Sequence, residues 1–68
     1  MGGRKFILKR RLNVEDAKLA LVTLPEGTQI ERTLRERYVS PSLRCRIIIA
    51  GGVEYFAIDA DIDEAVTD

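Results

Sequence analysis

The strongest constraint on the fold is a pair of glycines between two segments of strand-like composition. Gly51 and Gly52 separate LRCRIIIA (residues 43–50) from VEYFAIDA (residues 53–60). Both segments are rich in β-branched or aromatic residues, which favour strands. Glycine readily adopts the positive φ angles that a two-residue hairpin turn requires. The sequence therefore predicts an antiparallel β-hairpin near the C-terminus.

The segments before this hairpin are assigned from their periodicity. Residues 4–12 alternate apolar and charged side chains, which is typical of an edge strand. Asn13 is a favourable helix N-cap, and residues 13–24 place apolar side chains on one helical stripe that ends at Pro25. Residues 28–39 are ambiguous, because Ile30, Leu34 and Tyr38 fit one face of either a helix or a strand. A capping box at their start favours a second helix.

These assignments predict a single α+β domain over residues 1–68, in the order strand–helix–helix–β-hairpin. The hairpin and the first strand would form a small antiparallel sheet. The alternative is a small SH3-like β-barrel. In that fold residues 19–34 form strands around a Pro-Glu-Gly turn, and the turn at residues 61–66 closes the barrel.

The short length predicts a thin core and a need for a partner. A hydrophobic core in 68 residues supplies roughly 3–5 kcal/mol. The chain has one cysteine and no histidine, so it has neither an internal disulfide nor a Cys/His zinc site. We therefore expect stability to come from another protein or from a homo-oligomer. The single cysteine fits a reducing compartment, and no apolar run approaches the length of a membrane span. These features predict a cytoplasmic protein without membrane association.

Catalytic and metal-binding chemistry have weak sequence support. Asp59, Asp61 and Asp63 match the first three ligands of a calcium loop, but Glu64 stands where glycine is needed, so we expect no metal site. Cys45 alternates with apolar neighbours and is expected to be buried and inert. With no histidine to act as a base, we expect no enzymatic activity, no cofactor and no small-molecule substrate.

The basic residues are the first candidate binding feature. All eleven lysines and arginines fall within residues 4–46, a stretch with five acids and a net charge of +6, whereas residues 47–68 carry −6. A cationic face formed by the first strand, the second helix and the hairpin would suit nucleic-acid phosphates. Its residues would be Lys5, Lys9, Arg11, Arg32, Arg35, Arg44 and Arg46.

The hairpin itself is the second candidate, because it has apolar residues on both faces. Ile47 and Ile49 lie on one side, and Ile48 and Ala50 on the other. One layer of helices covers only one face of a sheet. An uncovered Ile48 or Phe56 would form a patch for a protein partner or a second subunit. We rank this protein-interaction role slightly above nucleic-acid binding.

Overall fold

A single antiparallel sheet makes up most of the protein. The computed structural model describes residues 3–68, except for the side chains of residues 39 and 40. The sheet has the strand order β1-β4-β5-β6-β2-β3, and a short helix follows it. The elements are β1 (Arg4–Ile7), β2 (Leu12–Glu15), β3 (Leu21–Leu24), β4 (Gln29–Ser40), β5 (Leu43–Ala50), β6 (Val53–Ala57) and α1 (Asp59–Val66).

The predicted hairpin is confirmed over β5 and β6. Its turn residues Gly51 and Gly52 have φ angles of 58° and 78°, which an L-residue adopts only with strain. The predicted edge strand is shorter than expected. β1 lies at one edge of the sheet but ends at Ile7, and Leu12 already belongs to β2.

The predicted helix over residues 13–24 is wrong, because this segment forms the β2–β3 hairpin. A carboxylate oxygen of Asp16 accepts hydrogen bonds from the backbone N–H groups of Lys18 and Ala20, which fixes the connecting turn. Asn13 does not cap a helix. Its side-chain oxygen accepts a hydrogen bond from the Thr23 hydroxyl on the neighbouring strand.

The predicted helix over residues 28–39 is also wrong, because the segment forms the long strand β4. Ile30 is buried, whereas Leu34 and Tyr38 are exposed, so the apolar stripe that suggested a helix is not used for packing. The register between β4 and β5 shifts between Arg32 and Glu36. The α+β arrangement with two central helices is therefore incorrect. The SH3-like barrel is not found either, since the sheet is open, although strands do flank the Pro-Glu-Gly turn.

The pairing registers define two faces of the sheet. Directly opposed residues in antiparallel strands share a face, and successive residues alternate between faces. On one face, Ile48 is opposite Tyr55, and on the other, Ile47 is opposite Phe56. We call the first of these the inner face, because its side chains, together with Leu8 and two residues of α1, form the core. That core contains Leu8, Leu12, Val14, Leu24, Ile30, Ile48, Ala50, Ala57, Ile62 and Ala65. We call the opposite side the outer face.

Candidate interaction surface

Two arginines of the sheet hold the start of α1 against the inner side. The Asp59 cluster consists of Arg32, Arg46, Asp59 and Asp63. Arg46 donates from Nε and Nη2 to the two oxygens of Asp59, at 2.9 Å each. Arg32 donates to Asp59 at 3.0 Å and to Asp63 at 2.6 Å. The bonds from Arg46 are the main cause that lowers the pKa of Asp59 to about 2; those from Arg32 add to this, and burial opposes it.

The contacts of the Asp59 cluster also show where the three aspartates of the possible calcium loop, residues 59, 61 and 63, lie. They lie on a helix, and residues 59 and 63 are one turn apart on the side that meets Arg32. Asp61 lies two positions from each and lines depressions elsewhere on the surface. The three carboxylates therefore do not converge as they would in a calcium loop. Within residues 3–68, no group of three or more potential metal ligands is found.

The other predicted basic residues are distributed over several surfaces. Lys9 pairs with Asp68, Arg35 with Glu54, and Arg44 with Glu36. Lys5 is opposite Glu31 on the outer face, and Arg11 borders a depression with Asp61 and Glu64. Five of the seven predicted residues thus have carboxylate partners, and the seven do not share one face. The opposite charges of the two parts of the sequence meet largely within the chain.

The two apolar residues predicted for the interaction patch are both buried. Ile48 is completely inaccessible, because it lies on the inner face beneath α1. Phe56 is 6% exposed, but it lies on the outer face, opposite Ile47. The hairpin does have apolar residues on both faces, as predicted from the sequence. However, α1 covers the face that contains Ile48, so the face without a covering helix is the one that contains Ile47.

Six apolar side chains lie on the outer face: five are neighbours on β5 and β6, and the sixth, Leu21, is separated from Phe56 by Glu15. We call them the outer strip: Leu21, Leu43, Cys45, Ile47, Ile49 and Phe56. Leu21 is 82% exposed and Leu43 is 37% exposed, while Ile47 and Ile49 are half-buried. A shallow depression of about 200 Å³ lies over the end of the strip that includes Cys45, and Glu15 and Asp61 form part of its wall. Of the seven described helices and strands, six form the sheet and the seventh packs on its inner face.

Two arginines cover part of the outer strip. The Arg37 guanidinium lies over the Phe56 ring, 4.6 Å from its centroid. Arg35 of β4 pairs with Glu54 of β6, so this ion pair spans β5, the strand that contributes Ile47 and Ile49. Long side chains of this kind cover apolar surface while their charged ends remain in water. Such cover can be displaced without unfolding any strand.

Cys45 is part of the outer strip and not an exposed nucleophile. It is 3% exposed, and burial, followed by the charge of Glu15, raises the pKa of its thiol. A raised pKa keeps the thiol protonated and poorly reactive. The expected burial of Cys45 is confirmed, and its lack of reactivity remains a prediction.

Sequence reasoning did not place Leu21, Glu15 and Arg37 on one face of a sheet. Leu21 and Glu15 fell inside the wrongly predicted first helix, and Arg37 inside the second. The available signal was the DAKLA segment at residues 16–20: its first residue, Asp16, can accept the hydrogen bonds of a tight turn. Four-residue segments that alternate on each side, LNVE and LVTL, are compatible with a short hairpin.

The chain matches no protein-family model, and no similar curated protein or solved structure was found. In the part of the chain that the structure describes, no helix is long and apolar enough to cross a membrane.

Proposed function

We propose that this protein is a small interaction module that binds another protein chain through the outer face of its sheet. The observation that carries the proposal is the outer strip. It places five apolar residues side by side on β5 and β6, with Leu21 beyond Glu15, and α1 lies on the opposite face. A sheet with apolar side chains on both faces is stable when a layer covers each of them. The second layer is then supplied by the partner.

The composition of the surface supports binding of protein more than binding of nucleic acid. Apolar and aromatic side chains with adjacent arginines are typical of the centres of protein interfaces. A phosphate-binding surface instead needs several cations directed at one groove. Here Arg32 and Arg46 are hydrogen-bonded to Asp59, and Arg35 and Arg44 also have acidic partners. That the protein is not an enzyme remains a prediction.

Photo-crosslinking in the cells that produce the protein tests the proposal. A photoreactive amino acid is placed at Leu21 on the outer face, and in a matched control at Leu34. Both leucines are 82% exposed, but Leu34 borders a depression with Phe6, Arg32 and Arg46 of the inner face. We expect a discrete crosslinked product, with this protein or another, from position 21 and not from position 34. No product from either position, or the same products from both, would refute binding through the outer face.

A further inference from the structure

Charge is distributed unequally between the two sides of the outer strip. Arg37 projects from β4 on one side, where it is opposite Cys45. Glu15 projects from β2 on the other side, where it is opposite Phe56. Between them lie β5 and β6, with Cys45, Ile47 and Phe56 in the centre. Beside Cys45 and Phe56 the outer face therefore has a basic residue on β4 and an acidic residue on β2, while Glu31 lies farther along β4 and Leu21 lies beyond Glu15.

Building on the function proposed above, we propose that the partner is a second copy of this chain, packed outer face to outer face. A two-fold axis that runs parallel to the strands, between β5 and β6, places β4 of one copy opposite β2 of the other. Arg37 of each copy then lies on the side of Glu15 of the other. The two are offset by two residue positions, or roughly 7 Å along the strands, because Arg37 is level with Cys45 and Glu15 with Ile47. The β5 and β6 residues of the two outer strips meet in the middle. The result is a β-sandwich, in which two aligned sheets pack through their apolar faces.

The same charges disfavour the symmetric arrangement in which the axis is perpendicular to the strands. A two-fold axis in the plane of the sheets but perpendicular to the strands would place β4 opposite β4 and β2 opposite β2. Arg37 would then lie over β4 of the other copy and Glu15 over its β2, so Arg37 and Glu15 of the two copies could not pair. Like charges opposed in an interface are unfavourable, whereas opposite charges favour one orientation. An isologous interface must be complementary to itself, and of these two axes the one parallel to the strands brings Arg37 and Glu15 of the two copies to the same side.

The cover over the outer strip is compatible with this interface. Arg37 contacts Phe56 through its guanidinium, so a rotation of its side chain can direct the charge to Glu15 of the other copy while its aliphatic part stays on the strip. The Arg35–Glu54 pair is about half exposed at both residues. Exposed pairs of this kind are weak and can rearrange when a second sheet approaches.

Sedimentation velocity over a range of protein concentrations measures the dimer directly. We expect the wild-type protein to change from monomer to dimer as concentration rises, at low and at high salt. Ile47→Glu, which places a charge at the centre of the interface, should remain a monomer, and Leu34→Glu, a control beside the depression of the inner face, should dimerise like the wild type. A wild-type protein that is monomeric at every concentration, or equal loss of dimer in both variants, would overturn the proposal. Circular dichroism establishes that both variants are folded.

Charge reversal tests the orientation of the two copies. Arg37→Glu alone and Glu15→Arg alone should each weaken dimerisation by about tenfold or more, in line with coupling energies of close charge pairs across interfaces. An equimolar mixture of the two variants should dimerise again, because every Arg37–Glu15 contact in the mixed dimer then joins one acid with one base. A mixture no better than the single variants would overturn this orientation. If either variant unfolds alone, Arg37→Gln and Glu15→Gln replace the pair, and each should still weaken the dimer.

These outcomes separate the two proposals. A monomeric wild-type protein that still forms a crosslink from position 21 to a different protein would refute the second copy as partner and leave the interaction function in place. Absence of both the dimer and the crosslink would refute both.

Discussion

The two faces of the β5–β6 hairpin differ in what covers them, although their sequences are similarly apolar. Ile48 and its neighbour Ile47 have the same side chain and lie one residue apart in β5. Ile48 packs beneath α1 and is inaccessible, whereas Ile47 is half-buried on the outer face. An apolar residue in a strand therefore does not determine its own burial. The element that packs on its face does, and in this chain the only described helix packs on the inner face.

Truncation of the two isoleucines should give the largest difference between the faces. Ile48→Ala removes atoms from a site where neighbours surround the whole side chain, and should lower the free energy of unfolding by about 2–5 kcal/mol. Because a domain of this size has little stability to lose, we expect Ile48→Ala to be largely unfolded. Ile47→Ala should cost about half as much. Urea unfolding of dilute, monomeric protein makes the measurement. Equal losses would contradict the assignment of α1 to the inner face.

Removal of one acid from the Asp59 cluster should give the next largest effect. Asp59→Asn leaves the guanidinium groups of Arg32 and Arg46 without their shared carboxylate, at positions where they are only 22% and 18% exposed. We expect a loss of about 1–3 kcal/mol in the free energy of unfolding.

Asp61→Asn is the matched control for Asp59→Asn. Both acids lie in the first turn of α1, so both interact favourably with the helix dipole. Loss of this shared effect costs about 0.5 kcal/mol, and the excess loss in Asp59→Asn measures the contacts with the two arginines. Similar losses in the two variants would show that the cluster adds nothing to stability.

Acid should remove the contribution of Asp59 over a narrow range. The pKa of Asp59 is lowered to about 2 in the folded protein, and it is about 3.9 in an unfolded chain. A lowered pKa stabilises the folded state above the unfolded pKa, and the contribution disappears as the pH falls from about 4 to about 2. Because the side chain is 47% exposed, screening by water reduces the effect to about 1 kcal/mol. Unfolding free energies of wild type and Asp59→Asn should converge as the pH falls. A constant difference down to pH 2 would contradict the lowered pKa.

The C-terminal hairpin could be predicted from sequence because its turn residues have few alternatives. Two glycines between strand-forming segments specify a tight turn, and the structure has it. The segments before it could not be assigned from local pattern. Ile30, Leu34 and Tyr38 are four residues apart, which suits a helix, but the strand pairs of β4 with β1 and β5 override that preference.

The arrangement of the charges also depends on contacts between distant residues. Arg32 and Asp59 are 27 positions apart, so no spacing rule joins them. The sequence shows the difference in charge between residues 4–46 and 47–68, but it does not show which of these charges pair. The structure brings many of the opposite charges together, and the unequal sides of the outer face could not be inferred before β2 and β4 were known to flank the hairpin.

The smallest effect is expected for the ion pair that lies over the outer strip. Arg35 and Glu54 are 56% and 48% exposed, in contrast to the partly buried arginines of the Asp59 cluster. A double-mutant cycle with Arg35→Gln and Glu54→Gln in dilute protein should give a coupling energy of about 0.5 kcal/mol or less. The same cycle with Arg46→Gln and Asp59→Asn should give a clearly larger value, because that pair is less exposed and makes two hydrogen bonds. If the exposed pair were as strongly coupled as the Asp59 cluster, it would hold the outer strip closed, and docking of a partner would first have to break it. A weak coupling instead leaves the strip covered in water yet accessible to a second sheet.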